Sequence, residues 1–450
     1  MDIILSFILC FIFLIVSVYK KIYILYPLIC CLLIFVVLSL KKGFTLKNIY
    51  TMCINGVKKT SSVVITFLLI GSIIGIWMAS ATVPAIVYYS INFISPNLFI
   101  LSCFLICCIV SFLIGTSSGT TGTAGIALMA IARSGGINPL IAAGAIISGI
   151  YFGDRCSPVS SGAHLIVQLT ETDIHTNTKN MFKTSLIPFS VTVLIYTIIS
   201  YNHPLKITSI NILMEIESFF TLNYIVLIPA ALIIFLSLSR INMRITMMIS
   251  ILSSFLISVF MQKNSFIESL KYIIFGFNKI NHGQLSNIFH GGGITSILRL
   301  CLVILISSAM AGIFNETDML KNFTSLIYKA KSRSELFLGT ILTSILTSAF
   351  GCNQVLAIVL TDMFVKDGYN FRNINKYDLA TDLENTSVLI APLIPWNTAL
   401  FLSTSILGVD YKAALYAFYL YLVPLINLVF LFIKDKFILY NKVYYNNKEL

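Results

Sequence analysis

The chain has 450 residues, of which 57% are hydrophobic and 11% are charged. A soluble domain carries about 25% charged residues, so the composition excludes a soluble protein and predicts an all-α polytopic membrane protein. The formal net charge of +12 does not indicate a nucleic-acid surface, because the basic residues concentrate between apolar runs, where they orient a membrane protein. No G-x-x-x-x-G-K-[ST] loop is present, which argues against ATP-driven pumping.

Residues 1–55 contain two apolar runs, "IILSFILCFIFLIVSVY" and "IYILYPLICCLLIFVVLSL", which approach the roughly 20 residues needed to span a bilayer. The first run lacks a basic leader and a small-residue cleavage site, so we expect a retained span and not a signal peptide. A predicted loop follows, "KKGFTLKNIYTMCINGVKK", with five lysines and no acid, and the positive-inside rule places it in the cytoplasm. The lysines are Lys41, Lys42, Lys47, Lys58 and Lys59. We therefore expect both termini, including a basic tail at 434–450, to be cytoplasmic.

The two halves of the remaining chain share glycine landmarks. The segment "GIWMASATVP" resembles "GIFNETDMLK", and their first glycines are 237 positions apart (312 − 75). The matched positions are Gly75 with Gly312, Gly56 with Gly293, and, one residue closer, Gly115 with Gly351. This spacing predicts two transporter repeats, 56–202 and 293–433, joined by linking spans and loops at 203–292. We expect the first repeat to begin on the cytoplasmic side and the second on the outer side, which predicts inverted repeats.

Each half also contains interrupted apolar segments. The stretches "GTSSGTTGTAGIALMAIARSGG" and "GCNQVLAIVLTDMFVKDG" are too short and too polar for ordinary lipid-facing helices. Each is interpreted as an arm of a re-entrant hairpin, because unwound backbone at membrane depth must be buried in protein or line a cavity. Each is followed by a second broken element, "FGDRCSPVSSGAHL" or "DLENTSVLIAPLIPWNTAL". Paired interruptions at corresponding places indicate a transport site.

These motifs give the chain a family resemblance. "GIWMASATVP", "GTSSGTTGTAGIAL", "GAIISGIYFGDRCSPVS" and "APLIPWNTA" resemble the NhaC family of sodium/proton antiporters, over about Gly56 to Pro424. The resemblance implies two helical repeats with inward-pointing hairpins and an elevator-like motion. It also implies a departure: after the Ser-Pro pair, sodium/proton members typically carry Asp-Thr-Thr-Asn, where this chain has "SGAH", Ser161 to His164. Simple sodium binding is therefore in question.

Asp154 is the first candidate for the site, because a carboxylate in a partly dehydrated cavity can hold either a proton or a sodium ion. We expect burial to favour its protonated form and the neighbouring Arg155 to favour its ionised form. The alternative is structural, an ion pair between Asp154 and a basic residue. A further candidate is His164, which could relay protons or only form a buried hydrogen bond.

Neutral oxygens around these charges could bind a hard cation such as sodium. In the first half the candidates are hydroxyls at Ser117, Ser118, Thr120, Thr121, Ser157, Ser160 and Ser161. For sodium itself we single out Asp154, Ser118 and Thr121. The alternative is that these small residues only allow close helix packing.

In the second half the equivalent interruptions carry Asn353, Gln354, Glu384, Asn385, Thr386 and Asn397. Glu384 is a candidate symmetry partner of Asp154, although Asp378, Asp382 and Glu384 could equally form a solvated turn beside Lys376. Trp396 could stack on an organic solute or simply pack.

The leading hypothesis is a secondary antiporter that exchanges sodium for protons across the cell membrane. The alternative is a cation- or proton-coupled exchanger of a small organic acid or amino acid, which Arg155 and the missing carboxylate favour. A hydrolase using Ser118 and His164 is disfavoured because the stretch around Ser118, "TSSGT", lacks the first glycine of a Gly-x-Ser-x-Gly elbow, and because a duplicated site does not suit a single nucleophile; we therefore expect no enzymatic activity.

We expect no cofactor beyond a transported or coupling sodium ion. The ten cysteines lack metal-ligand spacing and are expected to be small buried residues without a disulfide framework. The expected partners are the lipid bilayer and a small solute, with a homodimer left open.

Overall fold

The structure is a computed structural model that describes residues 2–20, 22–90, 95–158, 160–205, 214, 216–239, 241–279, 291–317, 330 and 332–446. The elements assigned within these ranges are helices, with one isolated β-bridge between Phe277 and Gly291. Among the described residues, five helices are long and apolar enough to cross a membrane, or six if one pair bent by 53° counts as a single span. The protein is therefore an all-α, multi-pass membrane protein.

The chain begins with a helical pair, α1 (Asp2–Tyr19) and α2 (Leu25–Lys41), followed by α3 (Leu46–Ala79). The sequence analysis placed residues up to Lys59 in a cytoplasmic loop, but helix α3 begins at Leu46, after Thr45 accepts a hydrogen bond from the backbone N–H of Asn48 at 3.2 Å. The predicted boundary between residues 55 and 56 thus lies within α3. Its 34 residues extend over about 51 Å, longer than a hydrocarbon core of about 30 Å.

In the described ranges of the first half, seven α-helices follow around two breaks. They are α4 (Thr82–Ser90), α5 (Phe99–Ile114), α6 (Ser117–Thr120), α7 (Ile126–Ser134), α8 (Pro139–Cys156), α9 (Ser161–Thr170) and α10 (Ile174–Asn202). A π-helical turn, Thr121–Gly125, joins α6 to α7, so residues 117–134 form one helical segment, called here the first return arm. In the described part of the linking region the structure assigns α11 (Ile228–Leu238), α12 (Met243–Phe260) and α13 (Phe266–Phe275).

Seven α-helices are assigned among the described residues of the second half. They are α14 (Ile294–Thr317), α15 (Arg333–Gly351), α16 (Gln354–Phe371), α17 (Lys376–Asn385), α18 (Ser387–Ile390), α19 (Thr398–Leu407) and α20 (Phe418–Asn446). We call α16 the second return arm, and we call the ten-residue helices α9 and α19 half-helices. Helix α20 continues through Lys434 to Asn446, so the segment predicted as a basic tail begins within this helix. Residues 280–290 of the predicted linking region and 447–450 of the tail lie outside the described residues.

Helices α3 and α14 pack in opposite directions along a glycine seam. A Cβ atom on Gly56 would lie 2.0 Å from the carbonyl oxygen of Ser308 and 2.9 Å from the backbone nitrogen of Gly312. Near the other end of α3, the carbonyl oxygen of Gly71 accepts a hydrogen bond from the backbone N–H of Gly293 at 2.7 Å. Residues later in α3 therefore contact residues earlier in the second helix, which defines an antiparallel pair. Only glycine permits backbones to approach this closely.

The helix boundaries that follow the seam recur at one spacing, 237 residues (352 − 115). Left-handed residues end α5 and α15, extended residues precede α6 and α16, and side-chain caps begin α8 and α17 as well as the two half-helices. The pairs are Gly115 with Cys352, Thr116 with Asn353, Gly136 with Asn373, Asn138 with Asn375, Ser160 with Asn397, Glu171 with Gly408, and Asp173 with Asp410. The two stretches therefore follow the same order of helices and turns without an insertion.

Candidate functional site

Asp154 lies in the last turn of α8, where two breaks meet. Its side chain is 4% exposed. One carboxylate oxygen, Oδ1, accepts a hydrogen bond from the Ser160 hydroxyl at 3.2 Å, and Oδ2 accepts one from the Gln354 amide at 3.3 Å. Ser117 lies close to the same carboxylate. Asp154 is thus contacted from both halves of the chain, and these hydrogen-bond donors are neutral.

Helix N-termini converge around this carboxylate because the breaks redirect the chain. The backbones of Thr116, Ser157 and Asn353 are extended, which stops one helix and lets the next begin at Ser117 or Gln354. Half-helix α9 begins beside them, after its cap residue Ser160. The N-termini of helices carry unpaired N–H groups and partial positive charge, so the arrangement stabilises a negative charge at this point.

Arg155 follows Asp154 in the sequence but binds elsewhere. Its side chain is 0% exposed. Its guanidinium donates hydrogen bonds to Ser185, to Thr184 at 2.7 Å, to the side-chain carbonyl of Asn385 and to the hydroxyl of Tyr419 at 3.1 Å. Successive residues on a helix point about 100° apart, which separates this group from Asp154. The described contacts therefore do not include the expected pairing of Arg155 with Asp154.

Glu384 is a second buried carboxylate. Its side chain is 1% exposed, and both of its oxygens lack a hydrogen-bond partner among the described residues. It directly precedes Asn385, which binds Arg155. The helix-cap spacing of 237 does not make Glu384 the counterpart of Asp154, because Ala391 occupies that position (391 − 154).

The alternative of a solvated turn at Asp378, Asp382 and Glu384 fits only the start of this segment. Asp378 and Lys376 are exposed. Asp382 is 4% exposed and forms an ion pair with Arg333 at 2.5 Å, while the hydroxyl of Tyr369 donates to the same carboxylate oxygen at 2.5 Å. The acidic residues after Asp378 thus face the protein interior.

The candidate hydroxyls divide between buried and exposed positions. Thr120 and Thr121 are buried and donate to backbone carbonyls one turn earlier. Ser157 is also buried, and it donates to the carbonyl of Phe112 at 2.6 Å. Ser117 and Ser118 are half-buried.

The departure from the family motif lies at the start of α9. Ser161 and His164 are exposed there, so the structure does not place His164 as the buried hydrogen-bonded residue considered above. Both side chains thus differ in exposure from the buried carboxylate of Asp154.

Several amide candidates serve as helix caps. The side chains of Asn353 and Asn397 accept hydrogen bonds from backbone N–H groups at the starts of α16 and α19. Thr386 donates to the carbonyl of Asp382 at 2.7 Å and accepts from Ser344 at 3.0 Å. These contacts position the helices that carry Gln354 and Glu384.

Trp396 packs within the protein. Its indole N–H donates to the carbonyl of Ala349 at 2.7 Å, and its ring meets Phe11 edge-on at 5.8 Å between centroids. This contact favours the packing role over stacking on a solute. The described cysteines are free thiols, and the described residues contain no cluster of three or more His, Cys, Asp or Glu side chains suited to a metal ion.

The sequence analysis missed residues that surround the two charges. Tyr151, one turn before Asp154, donates to the carbonyl of Ala399 at the start of α19 at 3.1 Å. Ser185 and Tyr419 bind each other at 2.7 Å and both accept from Arg155. Polar side chains in the apolar spans α10 and α20 were the available signal, because polar groups in a membrane need partners.

Comparison with known proteins identifies the family. A model of the Na+/H+ antiporter family matches residues 149–434. The Na(+)/H(+) antiporter NhaC of Alkalihalophilus pseudofirmus is 30% identical over 410 residues, which cover 90% of this chain and 89% of that protein. The malate-2H(+)/Na(+)-lactate antiporter of Bacillus subtilis is 28% identical over 380 residues, covering 83% and 81%. The arginine/ornithine antiporter ArcD of Halobacterium salinarum is 25% identical over 375 residues, covering 82% and 77%. The chain therefore belongs to the NhaC branch of the Na+/H+ antiporter family.

Proposed function

We propose that the protein is a secondary antiporter that exchanges sodium for protons across the cell membrane, with both termini in the cytoplasm. The observation that carries this proposal is Asp154, a carboxylate buried at the meeting point of broken helices and bound by neutral donors. Family membership supports the same activity. The relatives are named as antiporters, which favours transport over enzymatic turnover.

Exchange follows from competition for one carboxylate. The Ser160 hydroxyl and the Gln354 amide each donate to one Asp154 oxygen, Ser117 lies close to the same carboxylate, and a carboxylate has about four acceptor positions. The remaining positions hold either a proton or a sodium ion. Hydroxyls of the first return arm, with Ser118 and Thr121 as the leading candidates, supply further oxygen ligands for the ion. Binding of one ion therefore releases the other.

Inverted repeats support access to this carboxylate from both membrane faces. Helices α3 and α14 are related by the 237-residue spacing and run antiparallel, with Gly56 against Gly312 and Gly75 near Gly293. A symmetric exchange of partners of this kind is what a two-fold axis produces. In this proposal the axis lies in the membrane plane and relates residues 56–202 to 293–433, and the broken segments are re-entrant hairpins.

Coupled transport of a small organic anion is the second candidate. Arg155 presents a fully buried guanidinium held by neutral groups, and guanidinium groups bind carboxylates in a bidentate manner. The helix N-termini around the preceding residue, Asp154, also favour an anion. The malate and lactate named for one relative belong to this chemical class.

Flux into proteoliposomes tests the proposal and separates the two candidates. Sodium, lithium, potassium and a panel of carboxylates and amino acids are tested against an imposed pH gradient. Under the leading proposal, sodium alone dissipates the gradient. A requirement for an organic anion would transfer the assignment to the second candidate.

The decisive variant is Asp154→Asn, with the exposed Asp378→Asn as its matched control. Asp154→Asn keeps the size of the side chain and one hydrogen-bond acceptor, so the free energy of unfolding should change by about 1 kcal/mol while exchange falls to background. A structural ion pair predicts a loss of roughly 3 to 5 kcal/mol instead. Normal flux in Asp154→Asn removes this residue from the mechanism.

A further inference from the structure

Half-helix α9 and the second return arm, α16, are joined at both ends. At the site, Ser160 caps α9, Gln354 begins α16, and both donate to Asp154. At the outer end, about three turns along α16, the Lys366 ammonium donates to the carbonyl oxygen of Leu169 at 2.7 Å. The two helices therefore run side by side away from Asp154, and Lys366 links them at the end farther from the site.

The other half-helix, α19, is contacted by the first half of the chain at both of its ends, by α8 at the site end and by the first return arm at the outer end. At its site end, Ala399 accepts the hydrogen bond from Tyr151. At its outer end, one guanidinium nitrogen of Arg133 donates to the carbonyl oxygens of Leu407 at 2.8 Å and Gly408 at 2.9 Å. Each half-helix is thus held by a cation from the return arm of the other half of the chain.

These cations do not occupy equivalent positions. At the 237-residue spacing, Arg133 corresponds to Asn370, and Lys366 corresponds to Met129. The two halves therefore form the same contact with different residues at different turns. A shared ancestral residue does not explain this, whereas a common requirement for a cation at each outer end does.

The two outer ends lie at opposite ends of a membrane-length helix. Helix α20 begins shortly after Gly408, and Asp435, near the end of its apolar span Phe418–Lys436, accepts a hydrogen bond from the backbone N–H of Ser334 at 2.8 Å. Residues 418–435 cover about 26 Å. Leu336, close to Ser334, packs in one cluster with Ile166 of α9. Arg133 and Lys366 therefore act at opposite membrane faces.

The last carbonyl groups of a helix carry partial negative charge and lack partners within the helix. Hydrogen bonds from charged donors satisfy them and are stronger than neutral ones. We propose that Lys366 and Arg133 are positioning residues, each of which holds the outer end of one half-helix and controls access to Asp154 from its own membrane face. The access part of this inference rests on the proposed transport function.

Hydrogen–deuterium exchange on the full-length protein in lipid nanodiscs tests the positioning part. Lys376 also donates to the end of α9, to the carbonyl of Glu171 at 2.6 Å, so Lys366→Gln is measured alone and together with Lys376→Gln. Loss of a hydrogen bond from a charged donor should accelerate exchange by about tenfold in the outer half of α9. Arg133→Gln should do so only in α19. Lys366→Arg should restore protection because arginine also donates to carbonyls.

The matched control is Lys179→Gln, since Lys179 is exposed on α10 and should alter neither half-helix. Unchanged exchange in both half-helices, or equal acceleration in both, overturns the positioning role.

Sodium KM measured separately from each face of oriented proteoliposomes tests the access part. Lys366→Gln should change KM from one face and Arg133→Gln from the other, each by at least about threefold, with smaller changes at the opposite face. Equal changes at both faces, or none, overturn control of access. If the unmodified protein exchanges no sodium for protons, the proposed function fails, while hydrogen exchange still decides whether these cations hold the half-helices.

Discussion

The glycine seam between α3 and α14 predicts a specific cost for adding one methyl group. In Gly56→Ala the new Cβ would lie 2.0 Å from the Ser308 carbonyl oxygen, whereas ordinary contacts begin near 3.4 Å. The helices must therefore separate by about 1.4 Å at this point, and overpacking of this kind costs about 1 to 3 kcal/mol. Because Gly312→Ala meets the Met52 carbonyl oxygen at the same 2.0 Å, the two substitutions strain one contact.

Thermal unfolding of the purified protein measures this cost. We expect Gly56→Ala and Gly312→Ala each to lower Tm by about 2 to 5 °C. The double variant should lose less than the sum, because a single separation of the helices accommodates both methyl groups.

Gly162→Ala is the matched control, since its Cβ would be 3.6 Å from its nearest neighbour, the Ser160 hydroxyl. Alanine is favoured over glycine in a helix by up to about 1 kcal/mol, so this variant should keep or raise Tm. A Gly56→Ala protein that unfolds at the unmodified temperature, or a fully additive double variant, would refute close backbone packing at the seam.

Two further predictions concern charged positions. Ser161→Asp restores the carboxylate of the family motif and should lower the KM for sodium in flux assays; an unchanged or higher KM would show that this exposed position serves another purpose. Arg333→Gln leaves the buried Asp382 without its ion pair and should lower the free energy of unfolding by about 3 to 5 kcal/mol. Replacing both partners, as Arg333→Met with Asp382→Leu, should cost less, and a larger loss in the double variant would contradict this account.

The order of helices and helix breaks could be predicted because it follows from the apolar composition and from the helix-breaking residues. Runs of apolar residues predicted the helices, and clustered Gly, Ser and Thr predicted the breaks at Gly115 and near Cys352. The extent of α3 was not predicted, because Lys47 and Lys58 suggested a loop. Basic residues are compatible with a helix that extends beyond the bilayer, so charge alone does not end a helix.

The contacts of the site were less predictable, because they join residues far apart in the sequence. Arg155 was assigned to Asp154 by adjacency, yet its guanidinium binds side chains of α10, α17 and α20. Asn353 and Asn397 were candidate ligands, and they are helix caps. A side-chain carbonyl suits either role equally well, and only the direction of the following helix distinguishes them.

The constant distance between the caps limits where the chain tolerates added residues. Turns such as those at Gly136 and Asn373, both with positive φ, are ordinarily good places for epitope tags. Here the turn at Gly136 connects the first return arm to α8, which carries Asp154. The turn at Asn373 connects the second return arm to α17, which carries Glu384. A single added residue would displace the cap at Asn138 or Asn375 and, through it, the register of every element as far as Asp173 or Asp410. Insertion libraries should accordingly yield few active clones in either stretch, and reporter tags belong outside both.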